Sequence, residues 1–128
     1  MNQASKAYAA VAATGLPTRR LEAAALSRCA ADLLRAVETG PDEPALLVAA
    51  LERNRHLWRI FLTCVQEPDC PLPADLQKGL TATGLFTLKR TAEICEAIHA
   101  REPKPLREMV EPLARLDREL AQGLEAPA

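Results

Sequence analysis

Four thiols and two imidazoles are the side chains here best suited to nucleophilic or metal chemistry: Cys29, Cys64, Cys70 and Cys95, with His56 and His99. A structural zinc site takes four ligands, commonly in closely spaced pairs. Cys64 and Cys70 flank a proline-containing turn with five residues between them, and no second close pair accompanies them. A catalytic Cys–His pair is one reading of these side chains; against it, the chain carries no strand–turn–helix nucleophile setting and no glycine-rich phosphate loop. Cys29 and Cys95 fall on apolar stripes and read as small core hydrophobes. The carboxylates are spread over helix surfaces, where such groups mostly solubilise. These patterns predict no enzyme activity, no metal and no cofactor.

The densest basic spots are Arg19-Arg20 and the set Arg53, Arg55 and Arg59. Arg55 and Arg59 lie four apart and share a helix face. Nucleic-acid binding is one reading of them and a solvated face is the other. The second is favoured, because the net charge is −1 and no aromatic platform lies among these arginines.

The elements that must position these residues follow from composition and period. The chain has 128 residues, enough for one domain with its own core. Apolar residues make up 48%, much of it alanine and leucine, and aromatics only 3%. Such a chain favours helices over strands. No apolar run reaches the ~20 residues of a membrane span. The opening residues lack a charged segment followed by a leucine-rich one, so a cytoplasmic location with reduced thiols is expected.

Prolines divide the sequence into an antiparallel, all-α bundle of four to five helices. Residues 1–17 form an Ala-rich arm or short helix, residues 18–124 the bundle and residues 125–128 a frayed tail. Thr18 is placed to cap a helix over about 19–38, with Leu26, Ala30, Leu33 and Val37 on one face. The next helix opens at Pro44 and carries Leu47, Leu51, Asn54, Trp58, Phe61 and Val65 at alternating spacings of four and three. Asn54 interrupts that apolar seam, where a polar residue needs a partner and can fix register. Trp58 and Phe61 read as core anchors. A third helix runs from Pro73 to about Ala100, with Gly84 suited to a close helix approach. The last runs over about 106–124, and Pro112 predicts a kink or a fresh start near Glu111.

The segment Asn54-Arg55-His56-Leu57-Trp58-Arg59-Ile60-Phe61 resembles the NRxLWxxF stretch of FlaF, the flagellar biosynthesis regulator family of alphaproteobacteria. Other features follow in the family's order. Ala7-Tyr8 precedes Arg19-Arg20-Leu21-Glu22. Leu72-Pro73-Ala74-Asp75-Leu76 is similar to LPxxLR, and Leu85-Phe86 with Arg90-Thr91 to LxxFVxxHT. The stretch from Leu116 to Leu124, with Asp117-Arg118 at its start, resembles INRxIMxGL. The sequence departs from these patterns at Gln77, Arg90 and Asp117. The resemblance implies a cytoplasmic flagellum-assembly factor that binds flagellin as a secretion chaperone and so promotes its synthesis and export. It also implies functional interplay with FlbT. The alternative is a post-transcriptional regulator of flagellin expression that acts through a protein partner or messenger RNA.

An all-α bundle binds an amphipathic helix through an exposed groove. Leucines left over from the core stripes would line it. The expected partner-binding residues are Leu57, Leu62, Leu85 and Phe86. Asn54 and Arg118 are expected to face the bundle interior or its edge, with a hydrogen bond from at least one to another helix. Asp117 is placed to accept from an arginine, Arg55 or Arg118.

Overall fold

The computed structural model describes residues 16–39, 43–70 and 73–125, with side chains from Leu21 onward except that of Leu76. The proposed arm thus lies almost wholly outside the described residues. Four helices follow in order: α1, Leu16–Thr39; α2, Pro44–Gln66; α3, Ala74–His99; and α4, Leu106–Glu125. No strand occurs among the described residues. Helix α1 begins before Thr18, which therefore lies inside the helix rather than capping it. Pro17 is tolerated there because the first-turn N–H groups have no intrahelical acceptor.

Consecutive helices pack antiparallel, and α4 returns to close against α1. The α1–α4 seam is the most extensive and the α3–α4 seam the loosest. Helices α1 and α3 are diagonal to each other, as are α2 and α4. Pro112 sits inside α4 without ending it. The helix does not restart near Glu111, because the buried stripe runs on past Pro112 through Val110, Leu113, Asp117, Leu120 and Leu124.

Helix α3 ends on a left-handed residue that is not glycine. Arg101 has φ 55°, its N–H donates to the Ile98 carbonyl, and the Glu102 N–H donates to the Ala97 carbonyl. This is the Schellman pattern, which satisfies carbonyls at the helix end.

Two apolar clusters fill the bundle. One gathers Leu26, Trp58, Phe61, Leu80, Leu120 and Leu124. The other gathers Leu33, Leu47, Leu51, Ile94, Val110 and Leu113. Between them in sequence on each helix lie smaller or polar buried residues: Cys29 and Ala30 on α1, Asn54 on α2, Thr87 and Thr91 on α3, and Asp117 on α4. The bundle thus has a polar middle between two dry ends.

Gly84 is a point of close approach between α2 and α3. A Cβ there would lie 2.5 Å from Leu62 Cδ2 and 2.8 Å from its Cγ. Gly84→Ala should therefore destabilise the protein by about 1–3 kcal/mol, against the usual gain of replacing a helical glycine. Urea melts of the two proteins measure this, and a more stable variant would show that Leu62 can move aside.

Candidate functional site

Asn54, Trp58 and Asp117 form the polar middle of the bundle. All three are fully buried. Trp58 Nε1–H donates to Asp117 Oδ1 at 2.8 Å, across the diagonal from α2 to α4. The Asn54 amide, with its nitrogen turned to the carboxylate, donates to Asp117 Oδ1 at 3.1 Å and to Oδ2 at 2.6 Å. That orientation is assigned from the hydrogen bonding it allows. Burial pushes Asp117 up from 3.8 to about 7, while the Trp58 bond pulls it down. Asn54 donation also favours the ionised form.

Asn54 thus bonds to another helix, as its place in an apolar seam requires. The residue it meets is Asp117. Arg118 points outward and is exposed. Asp117 accepts from the indole and the amide rather than from an arginine. Arg55 is engaged on its own helix with Glu52, and Arg53 reaches Asp32 of α1 at 3.4 Å. These arginines are thus partly neutralised by carboxylates. Phe61 is buried and meets Trp58 edge to face, with ring centroids 5.7 Å apart at 85°. The buried set ties α2 to α4 and is closed to solvent.

Cys29, Cys64 and Cys95 are poorly set for nucleophilic chemistry. Burial, assisted by Asp117 and Asp32, pushes Cys29 up to about 11. Burial also raises Cys64 and Cys95. A thiol held protonated is a weak nucleophile. No cluster of three or more His, Cys, Asp or Glu among the described residues is arranged to hold a metal.

The surface tells a different story along α3. Leu85 is 55% exposed and Phe86 39% exposed, among the few large apolar side chains so open. They crown a ridge with a groove on each side. The groove toward α4, about 430 Å³, is lined by Ala82, Thr83, Phe86, Pro112, Arg115, Leu116 and Glu119. The groove toward α2, also about 430 Å³, includes Val65, Ala82 and Leu85 with Lys78 at its edge. Pro112 lies in the first groove, on the loosest seam of the bundle. Arg90 spans that seam: its Nη1 donates to the Met109 carbonyl of α4 at 3.2 Å, and its guanidinium lies 5.2 Å from the Phe86 ring centroid.

Of the four leucine and phenylalanine candidates, Leu85 and Phe86 share this ridge. Leu57 is half-buried against the Trp58 cluster, and Leu62 is buried beneath Gly84. Ala82 of α3 and Leu116 of α4 line the groove beside the ridge, and Leu116 reads from its spacing as part of the apolar stripe of α4.

A family model described as "Flagellar protein FlaF" matches residues 4–124. The chain belongs to the FlaF family. The match takes in the whole bundle, so the buried Asn54–Trp58–Asp117 set and the α3 ridge both lie within the FlaF region. No curated protein and no solved structure matches the chain. Among the described residues, no helix of this FlaF protein is long and apolar enough to cross a membrane. In this member Arg90 braces α3 to α4.

Proposed function

We propose that this FlaF protein binds flagellin in the cytoplasm, before export, through a terminal flagellin segment that docks as an amphipathic helix on α3. Covering the apolar face of that segment would keep flagellin from premature assembly and would promote its production and export. The observation that carries the reading is the exposed Leu85–Phe86 ridge with its two flanking grooves, on a chain whose family is flagellar. Helix-in-groove recognition needs apolar anchors spaced along one face, with room beside them for the partner's side chains. The α3–α4 seam supplies both. Leu57 and Leu62 would act beneath this surface, holding α2 against α3.

Of the regulatory alternatives, action through a protein partner or on messenger RNA, the direct RNA route is disfavoured by the ion-paired Arg53 and Arg55 and by the burial of nearby Trp58. Interplay with FlbT would then follow from how much flagellin is free. The test is a pull-down with the purified protein against purified flagellin and, separately, total RNA. Retention of flagellin alone supports the chaperone reading. Retention of RNA without flagellin overturns it.

A further inference from the structure

The outward stripe of α3 is self-complementary, and we infer that a second copy of this chain docks on it with the two α3 helices antiparallel about a two-fold axis between Leu85 and Phe86. The stripe reads Lys78, Ala82, Leu85, Phe86, Lys89 and Glu93, and all six residues are exposed. A two-fold interface must present one patch that fits itself. With the axis at the Leu85–Phe86 step, Leu85 of one copy meets Phe86 of the other, and the pair repeats by symmetry. Lys78 and Glu93 lie equally far to either side of that step, about 11 Å along the helix at 1.5 Å per residue. Antiparallel pairing therefore sets each Lys78 against Glu93 of the second copy, twice, and each Glu93 also lies 3.7 Å from Arg90 Nε of its own helix. Lys89 falls opposite Ala82, a small side chain that leaves space for the lysine stem.

The packing surface suits this arrangement. Side-chain rows of one helix fit between those of another at crossing angles of about 20°, and the crevices toward α4 and α2 leave Leu85 and Phe86 standing clear on the outer face of α3. The unfavourable pairing is Asp75 against Glu96, at the ends of the stripe. There, helices crossing at about 20° have already diverged, whereas the nearer Lys78–Glu93 pairs remain within reach of two long side chains. The two apolar residues per copy make a small core, so the dimer is concentration-dependent rather than permanent. It covers the ridge assigned above to flagellin, so the two occupants exclude each other. Only that consequence rests on the flagellin reading.

Sedimentation equilibrium of the protein alone tests the dimer without flagellin. The mass should rise from 13.9 kDa toward twice that value as concentration climbs from roughly 5 to 500 μM, a range that brackets weak dimers. Lys78→Glu and Glu93→Lys should each weaken association about tenfold, since each places like charges together twice. The double variant, which restores opposite charges, should return to within about threefold of the parent. These positions are exposed, and circular dichroism checks that the fold is kept. A protein that stays at monomer mass throughout overturns the inference. So does a double variant no better than the two singles. Loss of flagellin binding with self-association intact would overturn the function proposed above and leave the dimer standing.

Discussion

Trp58→Ala is expected to cost about 3–5 kcal/mol of folding stability, the usual range for removing a large buried aromatic. Trp58 is wholly buried in the cluster that joins α2 to α1, α3 and α4. Its removal opens a cavity beside Phe61 and takes a donor from Asp117 at the same time. Trp58→Phe separates the two effects. It keeps most of the packing and loses the bond to Asp117, so about 1–3 kcal/mol is expected for a buried acceptor that loses a partner. Urea melts at neutral pH give both values. A Trp58→Ala protein within ~1 kcal/mol of the parent would move the indole out of the core, because no buried tryptophan is removed so cheaply.

Asp117 should impose a pH dependence of the less common sign. Its folded value, about 7, lies above its ordinary 3.8. Between those values the folded protein holds a proton that the unfolded chain releases. Stability from this group therefore falls as pH rises from about 4 to about 7, and is level above. At 1.36 kcal/mol per unit the ceiling is about 4 kcal/mol, reduced by the Asn54 donor bonds. The pair stays satisfied in both states. The ionised carboxylate accepts from the Asn54 nitrogen, and the neutral acid donates to the Asn54 oxygen once the amide turns over. Asp117→Asn is nearly the same shape and cannot titrate. Denaturation of the two proteins across pH 4 to 8 should show the parent losing stability relative to Asp117→Asn as pH rises. Parallel profiles would mean that Asp117 titrates alike in folded and unfolded chains.

The helices were legible because their apolar residues recur at three and four, as in Leu47, Leu51, Trp58, Phe61 and Val65. Proline placement marked most of the ends. The start of α1 was misplaced because Pro17-Thr18 fits a cap as well as a first turn. Pro112 reads as a break in isolation, yet buried leucines on both sides hold α4 together. Gly84 was legible as a close approach, and the structure supplies its partner, Leu62.

The candidate site was legible only in part. Asn54 stood out as a polar residue in an apolar seam. Asp117 was legible only as an acceptor for an arginine, because an aspartate on a helix ordinarily faces water. The missed signal was its spacing, four after Leu113 and three before Leu120, which puts it on the buried stripe. Arg118 beside it faces outward for the same geometric reason. Leu57, Leu62 and Leu85 are alike as residue types. Exposure separates them, and exposure depends on which neighbouring helix lies over each face.

On the proposed reading, the α3 ridge holds a terminal helix of flagellin. Calorimetric titration of full-length flagellin into the parent protein and into Leu85→Asp and Phe86→Asp tests it most directly, with the melting temperature of each variant measured alongside. The account predicts binding by the parent, a loss of at least about tenfold in each variant from a charge placed in an apolar contact, and little change in melting temperature, because both positions are exposed. It also predicts no binding to flagellin that lacks its terminal segments. Undiminished binding by both variants, or equal binding to the truncated flagellin, would contradict it.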